Sequence, residues 1–122
     1  MDLKAKPFDL KKRSYLLSGL VIEFIKNEQY ERIYFSVFDQ LMRSGTSIRA
    51  NLVAGGGSNG KKELIKYYHI SLKSANETKY WLCLIRDNIN CNKEKVQVLI
   101  TEADELSKII AAGIIKMKGL NR

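Results

Sequence analysis

The chain of 122 residues has one proline, two cysteines, one histidine and one tryptophan. Each shortage removes a class of answer. The lone proline, Pro7, sits near the start, so few breakers interrupt the remainder, which favours long helices over many short strands. Cys83 and Cys91 have no second pair and match no zinc spacing. Both are expected as free thiols in a reducing cytoplasm. The single histidine, His69, has no glutamate three residues before it, so the Glu-x-x-His pairs of di-metal bundles are missing, and Glu102-x-x-Glu105 lacks partner ligands. Nothing arranges His69 with a serine or cysteine as a triad either. No run approaches the roughly 18 apolar residues that span a bilayer, and Met1 to Pro7 hold no apolar signal region. The expectation is a cytoplasmic, non-membrane, non-enzymatic protein with no metal and no cofactor.

What is present is charge of one sign. The formal net charge is +8, from 21 basic and 13 acidic side chains. It is unevenly placed: residues 1–13 carry +3, residues 14–60 balance, residues 61–86 carry +4 and residues 87–122 carry +1. Clustered basic charge suits a polyanion such as nucleic acid, although a solvated surface has the same composition. The length suits one compact domain, residues 1–122, whose residues 1–9 form an N-terminal arm, and suffices to bury a real core.

Apolar spacing predicts four helices. Helix 1 is expected from about Leu10 to Lys26 with Asp9 as N-cap and Pro7 just outside, its face formed by Leu10, Leu17, Val21 and Phe24. Helix 2 is expected from about Ile33 to Ala54, with Phe38, Leu41, Gly45, Ile48, Leu52 and Gly55 on one stripe. Glycines at 55, 56, 57 and 60 end it. Helix 3 is expected from about Lys61 to Arg86, on the stripe Leu64, Tyr68, Ser71, Ala75, Thr78, Leu82, Ile85. Helix 4 is expected from about Lys93 to Lys118 after Asn92 as cap, on the stripe Val96, Leu99, Ala103, Leu106, Ile110, Gly113, Met117. Short connections predict an all-α, antiparallel up-down-up-down four-helix bundle with shallow crossings. Ile65, Leu72, Trp81, Ile109 and Ile115 widen the stripes. That surplus predicts self-association, or else partly buried flanks within a monomer.

Two glycine motifs tempt. Gly55-x-Gly57-x-x-Gly60 spells a dinucleotide fingerprint, and Gly55 to Lys61 begins like a phosphate-binding loop. Both need a preceding strand, and the second needs Ser or Thr where Lys62 stands. An ordinary interhelical loop is the better reading. Lys62, Lys66, His69 and Lys73 are spaced four, three and four, so they share a face of helix 3 opposite the core stripe. Such a row tracks phosphates or simply solvates a helix. Tyr80 lies further along that face and is placed to stack on a base. Arg43 and Arg49 interrupt helix 2. Arg43 is within reach of Glu77 or Asp39; Arg49 points to a partner subunit or an anion. One is expected to pair structurally and one to contact ligand, and the spacing does not say which.

The stretch Gln40 to Leu52, with Arg43 and then Ser47-Ile48-Arg49-Ala50-Asn51-Leu52, resembles the 23S rRNA intervening-sequence proteins. These are small four-helix bundles encoded within inserts of bacterial rRNA genes. Ile70 to Leu82, with Ser71, Glu77, Trp81 and Leu82, resembles that family's second block. The likeness spans about Leu10 to Met117. Where relatives carry Glu-Gly, this chain has Val53-Ala54-Gly55-Gly56. The resemblance implies a homopentameric ring. It also extends to the accessory protein of diversity-generating retroelements, a basic pentamer that binds nucleic acid and a reverse transcriptase. Asn51, Glu77 and Trp81 are then expected to be mainly structural. RNA or DNA contacts are expected from Arg43, Arg49, Lys61, Lys62, Lys66 and Lys73, with a protein partner as the alternative.

Overall fold

The computed structural model describes residues 9–119. Within them lie α1 (Leu10–Asn27), a short 3-10 turn (Arg32–Tyr34), α2 (Phe35–Gly56), α3 (Lys61–Asn88) and α4 (Lys93–Met117). No strand occurs among the described residues. The expected boundaries hold to within two residues, and Pro7 lies outside the described residues. Asp9 takes the N-cap position of α1, but its side chain makes no capping bond. Its ψ of 49° lies outside the extended region from which a cap side chain reaches the first turn. Asn92 is extended, and its side-chain oxygen accepts from the Lys95 amide at 3.1 Å. A cap of this kind contributes about 1 kcal/mol.

Each helix packs against two neighbours in a closed ring, α1 on α2, α2 on α3, α3 on α4 and α4 on α1; among the described residues the backbones of the diagonal pairs stay apart. Every neighbouring pair is antiparallel. The middle of α1 meets the middle of α2 and late α1 meets early α2: Ser18 donates to the Gly45 carbonyl, and Phe24 lies beside Phe38. Gly55 near the end of α2 meets Leu64 and Tyr67 near the start of α3. Lys79 of α3 pairs with Asp104 of α4, and Arg86 donates to Gln97. The result is the up-down-up-down four-helix bundle.

Its core repeats the sequence stripes. All six expected α2 positions are buried, together with Leu17, Val21, Leu82, Ile85, Val96, Leu106 and Ile110. Fully burying such a side chain contributes about 1.5–3 kcal/mol. Ile65, Leu72, Trp81 and Ile109 are half-buried and pack against this core, whereas Ile115 is exposed. Part of the surplus apolar surface therefore serves as flanks within one bundle.

The seam between α2 and α3 is built from small groups. Thr78 donates to Ser44 at 3.0 Å, Ser74 to Ser47 at 2.9 Å, and Ser71 to the Ile48 carbonyl at 2.8 Å. Asn51 donates to the carbonyl and hydroxyl of Ser47, both at 2.8 Å. Each polar group in this seam has a partner, so its burial carries little penalty. At the bundle end, Tyr30 stacks on Phe38 with centroids 3.7 Å apart and pins the α1–α2 connection. The Glu28 carboxylate accepts from the Asn92 amide and ties that connection to the α3–α4 turn.

Between α1 and α4 lies the feature that sequence spacing did not reveal. Arg13 donates from Nη2 to Glu102 at 2.7 Å and from Nε to the same carboxylate at 3.0 Å. Glu105 approaches Nη2 at 3.3 Å. The Arg13 and Glu102 side chains are only 5% and 2% exposed. Glu102 and Glu105, which look in sequence like an unfinished metal motif, hold an arginine instead.

Candidate nucleic-acid interface

The outer face of α3 carries the expected row. Lys62, Lys66, His69 and Lys73 are all exposed, and the row faces away from the buried Ser71, Ala75 and Thr78. This follows from helical period alone: positions four, three and four apart return to the same side, and the seam occupies the other. Lys66 lies 5.2 Å from the centre of the Tyr67 ring, a cation–π contact that restrains it along the helix.

Lys61 and Lys62 open α3, where the chain turns through Gly60 at φ 110°. That backbone conformation favours glycine. Because α4 runs antiparallel to α3, its end returns to the same place. Lys61, Lys62, Ile65, Met117 and Lys118 line one shallow depression. Lys118 thus joins the basic group. Only the antiparallel return of α4 brings it there, so spacing within α3 gave no sign of it.

Beyond Lys73 the face changes character. His69, Leu72 and Lys73 lead into a shallow groove continued by Asn76, Glu77, Tyr80 and Trp81. Tyr80 is 58% exposed, and its ring meets Trp81 edge-on, centroids 4.9 Å apart. Glu77 is exposed. Asn51 is held inside the seam and Trp81 packs against the core, so both have structural roles.

The two arginines on α2 differ. Arg43 donates to Asp39, one turn earlier, at 2.9 Å on an exposed surface, and that hydrogen bond raises its pKa. Of the two expected partners it takes Asp39. Arg49 is half-buried, and its Nη1 is fully buried with no hydrogen-bond partner among the described residues. Neither arginine stands in the lysine row, which belongs to α3.

On α3 and α4, Lys79 and Lys108 both bind Asp104, at 2.9 and 3.1 Å. Hydrogen bonds from Lys79 and then Lys108 hold the Asp104 carboxyl below the usual aspartate range. Lys79 is thereby committed to an ion pair. Burial pushes the Cys91 thiol up, with Lys93 opposing, and both cysteines are free. Among the described residues, no three His, Cys, Asp or Glu gather where they would hold a metal ion. No helix among them is long and apolar enough to cross a membrane.

The comparisons agree with this architecture. Among solved structures, a protein of unknown function from the S23 ribosomal protein family of Bacteroides thetaiotaomicron VPI-5482 is similar at 30% identity with a TM-score of 0.78. The match covers 86% of this chain and 97% of that one. No curated protein matches the chain. The family model for the 23S rRNA-intervening sequence protein matches residues 6–112, most of the chain and all but the last turns of α4, and the chain therefore belongs to the 23S rRNA-intervening sequence protein family.

Proposed function

We propose that this protein is a non-enzymatic basic bundle that binds RNA through electrostatic contacts along the outer face of α3. The observation that carries the reading is the exposed row Lys62, Lys66, Lys73, extended by Lys61, within a segment of net charge +4. The family's connection with 23S rRNA genes favours RNA, and DNA is the natural comparison. Phosphate contacts of this kind position a nucleic acid without reading its sequence. Arg43 and Arg49 are secondary contacts, one already paired to Asp39 and the other half-buried. We further propose a homopentamer in the cytoplasm, which would multiply the lysine rows; the exposed Ile115, Val98 and Ile33 supply apolar surface for it.

The test is salt dependence. For each phosphate neutralised, log affinity falls by about 0.7–0.9 per unit of log salt. Changing Lys62, Lys66 and Lys73 together to glutamine should flatten the slope by roughly 2–3. Absence of RNA and DNA binding at low salt would remove the reading. Light scattering settles the subunit count.

A second reading has its own observation. Ile33 is 77% exposed, and Phe35 flanks a groove floored by Ile25, Tyr30 and Phe38. That surface suits a protein partner such as a reverse transcriptase. Such a complex would survive high salt, where phosphate contacts weaken.

A further inference from the structure

The α3 face has two halves of different chemistry, and the second is unsuited to phosphate. From Lys61 to Lys73 it presents cations. From Asn76 to Tyr80 it presents an amide, a carboxylate and an aromatic ring over an apolar floor of Leu72 and Trp81. The neighbouring cation, Lys79, is bound to Asp104. A phosphate approaching this end meets the Glu77 carboxylate and is repelled. A nucleobase meets no such obstacle, because its faces are apolar and its edges carry donors and acceptors.

Resting on the RNA reading above, we propose that this groove takes an unpaired base, stacked on Tyr80, while the lysine row holds the phosphates of the same strand. Tyr80 is suited to the task because its contact with Trp81 restrains the ring and leaves more than half of the residue open. Eighteen residues separate Lys62 from Tyr80, about 27 Å along the helix at 1.5 Å per residue. That length accommodates several nucleotides of one strand. The interior of a duplex cannot use the groove, since both faces of each base there are already covered by its neighbours. Glu77 accepts hydrogen bonds and donates none, so the site favours the exocyclic amine of cytosine over the N3–H of uracil, which two carbonyl oxygens flank and which a carboxylate reaches only against their repulsion.

The chain's only tryptophan is Trp81, in the groove, so its emission reports on occupancy directly. The probes are 12-nucleotide oligocytidylate, oligouridylate of the same length and a 12-base-pair RNA duplex, each at low salt. Oligocytidylate should change Trp81 emission and the duplex should not. Tyr80→Ala should weaken the single strand by roughly five- to hundredfold, the worth of one base stack, and leave the duplex within twofold. Tyr80→Phe, which keeps the ring, should bind oligocytidylate like the parent. Glu77→Gln should narrow the preference for cytidylate over uridylate. If strand and duplex both bind but Tyr80→Ala affects neither, or both equally, base capture is wrong and the electrostatic reading stands. If no RNA binds at low salt, both fall. Unchanged far-ultraviolet circular dichroism of Tyr80→Ala confirms that its fold is intact.

Discussion

Removing the Arg13 guanidinium should destabilise this bundle more than any other single charge deletion. Arg13→Met leaves Glu102, 2% exposed, without its cation and beside a second carboxylate, Glu105. Breaking a buried pair by removing one partner costs about 3–5 kcal/mol, a large part of the roughly 5–15 kcal/mol available to a domain. Glu102→Gln should cost less, about 1–3 kcal/mol. In that variant Arg13 keeps Glu105 at 3.3 Å, and the amide oxygen still accepts a hydrogen bond. The double variant Arg13→Met/Glu102→Leu removes both charges and fills the space with apolar atoms. It should return to within about 1 kcal/mol of the parent or exceed it, because replacing a buried pair recovers the desolvation cost of both ions. Urea unfolding followed by circular dichroism measures all four proteins. It must be run at several protein concentrations, so that any change in self-association is separated from folding. An Arg13→Met cost below about 1 kcal/mol, or a double variant as unstable as the two single losses combined, would refute the reasoning.

Three further substitutions test packing and charge. A Cβ on Gly45 would lie 2.9 Å from Val21 Cγ1, and Val21 is fully buried, so Gly45→Ala should lose stability by about 0.5–2 kcal/mol despite the better helix propensity of alanine. Gly19, on the exposed side of α1 with nothing within 4 Å, should instead gain about 0.5–1 kcal/mol on the same substitution; thermal melts compare the two. The Asp104 carboxyl is held below its ordinary range in the folded state, so its pairing with Lys79 and Lys108 contributes above the unfolded value and is lost as pH falls below about 4. Asp104→Asn should therefore lose stability at neutral pH and converge with the parent in acid; a difference independent of pH would count against that pairing.

The architecture was legible because nothing contradicts its period. The stripe Phe38, Leu41, Gly45, Ile48, Leu52, Gly55 is buried at every position, and a three–four alternation has only one reading when no proline or strand pattern competes with it. Asn92 was legible for the same reason: a short polar side chain at the turn before an apolar run has a local task. Asp9 looked equivalent in sequence, but its backbone dihedral denies the bond, and dihedrals are set by the packing around them. The Arg13–Glu102 pair was illegible because it joins residues far apart in sequence through the closure of α1 on α4. Helical spacing describes one rod at a time. Lys118 escaped for the same cause, since only the antiparallel return of α4 sets it beside Lys61 and Lys62.

The division of labour on α3 follows from how its inner face is made. Ser71, Ser74, Ala75 and Thr78 are small, so α2 approaches closely and the seam is settled by hydroxyl bonds rather than by bulky side chains. At this level the fully buried strip is narrow, with Leu72 and Trp81 half-buried beside it. The wide outer surface of α3 is then left for side chains that the bundle does not need: a lysine row first, then Asn76, Glu77 and Tyr80. The same small residues that bring α2 close leave the opposite side of α3 exposed.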